Sequence, residues 1–527
     1  MTHESPNQGM GRREFFQRSL AAGSLLLAPG LLVACASGST TPATSGASPA
    51  IKRGGKLRVG FVGGGDLETL DPQSALNDVD FGRGLNLYDR ITHFMPDMSV
   101  ENLLAESFEP NSTGMAWQLK LKSGVTFHNG KPLTANDALY SFQRIVTKKL
   151  TGASRLTAVD WKNARVTGTL TLLLPMLQPW IDLPAMFAEV YDSILPEGTT
   201  NFKHPIGTGP FKFVEWHQGQ QSLFMKNPDY FMSGTPYVDE LVCVSIPDNT
   251  SRLQALQSGQ IDAMAQIDFA QAKALAHSSA IKLVVAHTDY NVPIYMRMDR
   301  EPFTDNRVRE AMRLLADRPQ LVADCFFDYG TVANDLFGKG VPYYNSSLPQ
   351  RVYDPEKAKS LLKQAGHPDG LTLSLYTSTV APGMLESATA YAQQAKAGGV
   401  TIKLVQTPPS SYYGSQYYLK VPFGQSNWQG TIPIMWSSSF TKTAPYNETA
   451  WDNPDWDKAF SQAEATQDPA KRQQIFDDLQ SQLYYNGGYI SWGDNFTVDA
   501  TASNLQGMVP NKWYLLGGCD FKSVWFS

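Results

Sequence analysis

Between residues 408 and 456 the chain sets Tyr412, Tyr413, Tyr417, Tyr418, Trp428, Trp436, Tyr446, Trp451 and Trp456 among Gly, Ser, Gln and Asn. A purely structural core would use Leu, Ile and Val there. Rings interleaved with amides and hydroxyls suit a wet, concave site, where a solute stacks on the faces and bonds to the polar tips. Part of this ring set must also pack the interior, and Trp451 and Trp456 in "WDNPDWDKAF" have the spacing of a core pair.

The chemistry on offer is recognition rather than bond making. The eight histidines, at 3, 93, 128, 204, 217, 277, 287 and 367, never come closer than ten residues to one another. That removes HExxH and every short zinc spacing. Neither a G-x-S-x-G elbow nor a G-x-x-x-x-G-K-[ST] loop occurs. Gly63-Gly64-Gly65 lacks G-x-G-x-x-G spacing, and Asp66 beside it would repel a phosphate. The acidic pairs Asp239-Glu240 and Asp477-Asp478 sit where strand ends and helix surfaces ordinarily carry charge. No catalytic residue, cofactor or metal site is expected.

The elements around these residues alternate. "GGKLRVGFVGGGDLETLDP" (54–72) opens as a strand and turns at its glycines. "AWQLKLKSGVTFHNGKPLTANDALYSFQRI" (116–145) reads as a strand, a turn at Asn129-Gly130, and a helix capped by Thr134 or Asn136. "HPIGTGPFKFVEW" and "QSLFMKNPDYF" are two strand runs, and "TSRLQALQSGQIDAMAQID" is a helix ended by Gly259 and followed by a short strand. "DPEKAKSLLKQAG" is a helix started by Pro and ended by Gly. The class is therefore α/β with mixed sheets.

At 527 residues and 42% hydrophobic, the chain can bury two or three cores. A net charge of −5 argues against a nucleic-acid partner. Residues 11–35, "GRREFFQRSLAAGSLLLAPGLLVAC", join a basic start to an apolar run too short and too interrupted to span a bilayer, the pattern of an export signal over residues 1–34. Arg12-Arg13 with the following Phe15-Phe16 resembles a twin-arginine signal. Leu32-Val33-Ala34-Cys35 resembles a lipobox, which would make Cys35 the acylated first residue, on a Ser/Thr/Ala-rich tether through residue 51. Cys243, Cys325 and Cys519 remain, enough for one disulfide at most, and their spacing does not pair them.

"FHNGKPLTANDALYSFQRI", "PIGTGPFKFVEW", "KNPDYF", "LQSGQIDAM", "PFTDNRVREAMRLLADRPQLV" and "YDPEKAKSLLKQAGHPDG" together resemble the bacterial family 5 extracellular solute-binding proteins. The resemblance covers residues 52–527. It implies a two-lobed Venus-flytrap fold of type II with an extra subdomain in lobe I. Lobe I would comprise 52–85, 200–285 and 495–527, the inserted subdomain 86–199, and lobe II 286–494, with a hinge near 285 and 494. The implied function is a monomeric receptor on the outer side of a bacterial membrane, held by its lipid, that passes a small solute to ABC permease subunits. A sensing or chaperone-like surface lipoprotein of the same fold is the alternative; neither reading is an enzyme.

In peptide-binding relatives an aspartate shortly after a tryptophan of lobe II grips the peptide amine. Here "SNWQGTIPIMW" is the matching stretch: Trp428 aligns on that tryptophan and Thr431 falls at the aspartate position. No acidic residue lies between Pro422 and Asn447. A buried ammonium without a counter-charge costs several kcal/mol, roughly, so a neutral or weakly charged solute (a glycoside, an opine-like conjugate, a blocked peptide) is expected. The expected lobe II contacts are Trp428, Asn427, Gln429 and Trp436. From lobe I, Gln266 and Asp268 after "GQIDAM", and Asn77 and Asp78, are expected to face them, with Asp78 or Asp268 as the counter-charge if the solute carries an amine.

Overall fold

The computed structural model describes residues 51–527 apart from Gly64 and Ser415, so Arg12, Arg13 and Cys35 lie outside the described residues. Strand Ala116–Leu121 shows how the elements form, since Trp117, Leu119 and Leu121 alternate inward while Gln118 and Lys120 face water. The helix that follows, Ala135–Thr147, is started by Thr134, whose N–H donates to the Asp137 carboxylate at 2.8 Å while the two residues close a capping box. Asp354 caps helix Pro355–Gln364 by accepting the Lys357 N–H at 2.9 Å. These are local solutions, and each was written in the neighbouring residues.

Three sheets organise the chain. The first runs in the order Ile281–Asn291, Gly493–Ala502, Ala263–Met264, Lys56–Phe61, Glu240–Ser245, Gln221–Lys226, Phe211–His217, with Gly330–Val332 added to Gly493–Ala502. It is mixed: Lys56–Phe61 pairs parallel with Glu240–Ser245 and with Ala263–Met264, and the other pairs are antiparallel. The second, five-stranded sheet is Val400–Gln406, Leu371–Thr377, Phe423–Gln425, Ile294–Met296, Tyr489–Ile490. The third has four antiparallel strands drawn from residues 105–175. Buried apolar clusters lie against all three sheets, and the largest joins residues of the first and second.

The chain steps directly between the first and second sheets at two places, from Ile281–Asn291 into Ile294–Met296 and from Tyr489–Ile490 into Gly493–Ala502, and it returns to the first sheet once more, through Gly330–Val332. These crossing strands pair with each other, Ile281 opposite Ala502 through Asn291 opposite Asp494. A bulge interrupts the ladder between Ala286 and Tyr290. The first-sheet strand thus runs on past residue 285. Two paired strands bend together far more easily than a packed interface, which is what a hinge requires.

Trp451 and Trp456 pack as expected, 4% and 0% exposed with rings at 6.3 Å. Cys243, Cys325 and Cys519 are buried thiols, none of them in a disulfide. Among the described residues no helix is long and apolar enough to cross a membrane.

Candidate functional site

The loop after strand Phe423–Gln425 carries Asn427, Trp428 and Gln429. Trp428 is fastened to the crossing strand by a reciprocal pair of backbone bonds with Asn291, 2.8 and 2.9 Å. Its half-buried indole donates to Glu448 Oε2 at 3.2 Å. Glu448 is 0% exposed and also accepts from the Tyr489 hydroxyl, at 2.8 Å, and from the Tyr418 hydroxyl. Around this carboxyl stand Tyr446, edge-on to Trp428 at 6.2 Å, and Tyr413, edge-on to Tyr418 at 5.0 Å, both with exposed faces. The Tyr413 hydroxyl bonds the Asn427 side-chain oxygen. Gln429 reaches across to the carboxy-terminal segment, donating to the Lys512 carbonyl at 3.0 Å. The result is a wall of rings held from behind by one buried acid.

Trp436 is not part of that wall. It lies on helix Ile432–Ser439, 1% exposed, with Trp456 at 5.4 Å, Phe476 at 5.6 Å and Phe440 at 5.8 Å around it. The expected solute contact at Trp436 is corrected to core packing, because this helix turns its large apolar side chains inward.

Gln266 and Asp268 follow strand Ala263–Met264 and line a cavity of about 420 Å³ together with Arg252 and Tyr290. The opposite lining comes from Thr379–Gly383 and Glu386, after strand Leu371–Thr377 of the second sheet. Gln266 has a left-handed backbone, φ 51°. Its N–H donates to Asp499 Oδ1 at 2.9 Å and its carbonyl accepts from Asn249 at 2.7 Å, which together fix that turn. Asp268 caps helix Phe269–Leu275, accepting from the Ala270 N–H at 3.0 Å. Asn77 and Asp78 do not line this cavity. Asn77 caps helix Asp78–Leu87 in a box with Asp80, and Asp78 accepts the Tyr514 hydroxyl at 2.8 Å, burial raising its carboxyl. A larger cavity, about 620 Å³, lies between Trp180, Met186 and Glu464, and none of the expected site residues lines it.

Residues 99–450 match the family described as bacterial extracellular solute-binding proteins, family 5. The chain belongs to that family. It is 26% identical over 469 residues to the glutathione-binding protein GsiB of Pectobacterium atrosepticum, covering 84% of this chain and 90% of the relative. Its fold matches the periplasmic binding protein DppA of Helicobacter pylori, solved with the peptide STSA, at TM-score 0.77 and 20% identity over 90% of this chain and 98% of that one. It also matches AgaA of A. tumefacien R10, solved with agropinic acid, at TM-score 0.76 and 21% identity over 90% and 99%. The fold is thus the α/β periplasmic-binding-protein fold with mixed sheets, in a family made up of solute-binding proteins.

Two acids of this family 5 chain escaped the sequence reading. Glu448 stands just beyond the acid-free stretch that ends at Asn447, and the density of tyrosines before it was its only signal. Asp289 lies in the bulge of the crossing strand, 2% exposed, and burial pushes its carboxyl up to about 7. Asp499 is also held up to about 7 by burial, against the pull of the Gln266 and Leu516 N–H groups.

The Asp499 shift gives a signed expectation. Its folded value lies above the unfolded one, near 3.8, so its contribution to stability is complete below about pH 4 and lost as pH rises toward about 7. Asp192 and Asp289, also raised to about 7, act in the same sense, and His93 and His128, lowered to about 4 by burial, act in the opposite sense below about pH 6.5, so the wild-type profile alone mixes them all. Asp499→Asn isolates the acid. Measured by urea unfolding from pH 4.5 to 7, the variant should gain on the wild type by up to about 1.4 kcal/mol per pH unit. Parallel profiles would mean that Asp499 titrates at an ordinary carboxylate value.

Proposed function

We propose that this chain is the substrate-binding component of an ABC importer. It would capture a small peptide-like, opine-like or glycoside solute between two lobes and deliver it to a membrane permease. The observation that carries the reading is the paired crossing strands beneath a cavity lined from both sheets, Gln266 and Asp268 on one side and Thr379–Gly383 on the other. Lobes joined through such strands can close on a solute and present the closed form to a transporter. In this reading 52–85, 200–285 and 495–527 form lobe I, 86–199 its inserted subdomain and 286–494 lobe II. Trp428, Asn427 and Gln429 supply the stacking wall, and the chain acts without catalysis as a monomer.

Protein purified from its native host and then denatured should release such a solute in stoichiometric amount, identified by mass spectrometry. Turnover of an ester or peptide panel, with nothing released, would replace this reading with an enzymatic one. We further infer that Arg12 and Arg13 direct export and that Cys35 anchors the chain on the outer side of the membrane. Fatty-acid labelling should then disappear in Cys35→Ala, with the protein freed from membranes; a label that persists rules out this anchor.

A further inference from the structure

We propose that Asp289 holds a positively charged nitrogen of the solute, supplying from the crossing strand the carboxylate that Thr431 does not provide. The inference rests on the solute-binding reading and narrows it to solutes that bear an amine or another basic nitrogen.

Asp289 is 2% exposed, and no side-chain donor reaches either of its carboxylate oxygens. A bulge extrudes a residue from the ladder and re-aims its side chain, and Asp289 sits within the irregular step between Ala286 and Tyr290. The backbone N–H groups that bear on it are its own and that of Gly430. Gly430 immediately precedes Thr431, whose hydroxyl oxygen is likewise buried without a partner. The strand position is therefore next to the turn that leads into helix Ile432–Ser439.

Among the described residues no cation makes direct contact with either acid at this crossing. Asp494, on the partner crossing strand, accepts the Asn291 amide through Oδ1 at 2.6 Å and leaves Oδ2 without a partner. Burial raises Asp494, and the nearby Asp289 raises it further. Lys512 and Lys339 are the lysines felt at this crossing, yet neither forms an ion pair with either acid. Lys512 Nζ donates to the Gly340 carbonyl at 3.3 Å and Lys339 Nζ to the Val332 carbonyl at 2.5 Å. A bound water would satisfy hydrogen bonds here but would not neutralise the buried charge. An ammonium does both. It brings three donors, and the acceptors without a side-chain donor on these residues include the two Asp289 oxygens, the Thr431 hydroxyl, Asn291 Oδ1 and Asp494 Oδ2. The place is also mechanically apt, because Gln429 already ties the Trp428 loop to Lys512 there, so a cation at the crossing would be enclosed from both sides.

The expectation of a neutral solute rested on the acid-free stretch from Pro422 to Asn447, and a counter-charge from outside that stretch removes its basis. Asp78 and Asp268 are the less suited alternatives, since one is bonded to Tyr514 and the other caps a helix.

The test uses the full-length protein, stripped of bound solute by reversible unfolding. It is offered a mixture of tripeptides and glutathione with free amino groups, their N-acetylated counterparts, amine-bearing opines, and neutral disaccharides. Retained molecules are read by mass spectrometry after desalting. Amine-bearing members should be retained and their acetylated counterparts not, and Asp289→Asn should bind the retained member about 100-fold more weakly. The solute-free melting temperature of Asp289→Asn should equal or exceed that of the wild type, because a burial cost is removed; a merely structural aspartate would lower it. Retention of neutral or acetylated members, undiminished binding by Asp289→Asn, or a lower solute-free melting temperature overturns the assignment while leaving solute binding intact. Retention of nothing from any class overturns both.

Discussion

Replacing Glu448 with alanine is expected to destabilise the solute-free protein by about 2–4 kcal/mol. Two effects compete. The carboxyl is fully buried, and burial raises its pKa, so its removal relieves a desolvation cost. Against that, the Trp428 indole and the Tyr418 and Tyr489 hydroxyls all donate to it and would be left without an acceptor. An orphaned buried donor such as the Tyr489 hydroxyl costs about 1–3 kcal/mol, the part-buried Tyr418 hydroxyl and Trp428 indole cost less, and together they outweigh the relief. Glu448→Gln keeps the volume and one acceptor oxygen while turning an amide N–H₂ toward a donor, and an intermediate loss follows. Urea unfolding ranks the three proteins. If alanine unfolds at the wild-type midpoint, this carboxyl is not what holds the ring wall. The same substitution frees the indole of Trp428, so solute affinity should fall together with stability.

What the sequence revealed was local. The Thr134 and Asp354 caps, the Asn129-Gly130 turn and the inward alternation of Trp117, Leu119 and Leu121 need only neighbours a few residues away. Gln266 and Asp268, expected to face the Trp428 loop, line a cavity instead with Thr379–Gly383, and Asn427, Trp428 and Gln429 are not part of its lining. Asn77 was legible in a different role. An Asn three residues before Asp80 is a helix-start signature, and the structure uses it as one. Glu448 and Asp289 were not legible, since nothing nearby in sequence says that an acid will be wholly buried. Glu448 meets Tyr489 across 41 residues and Asp289 lies by Gly430, far along the chain. Such contacts come from how the crossing strands and the second sheet pack, which no local pattern encodes.

Trp428 and Trp436 mark the same limit, and their exchange of roles can be measured. Both stand in "SNWQGTIPIMW" among polar and small residues, so composition treats them alike. Trp428 precedes the helix, pinned to Asn291 with its indole on Glu448, whereas Trp436 faces Trp456, Phe460 and Phe476 from within the helix. Truncating a fully buried tryptophan leaves a large void, so Trp436→Ala should lose about 3–5 kcal/mol of unfolding free energy. The Trp436 indole N–H has no partner to lose, so the whole effect is lost packing, and Trp436→Phe should recover most of it. Solute affinity, measured well below the melting transition, should be unchanged in both. Trp428→Ala should do the reverse, weakening the solute by about 2–4 kcal/mol through lost stacking and burial, with a smaller loss of stability. A selective loss of binding in Trp436→Phe, with stability intact, would return Trp436 to the solute wall. The packing of helix Ile432–Ser439 would then have to differ from that seen here.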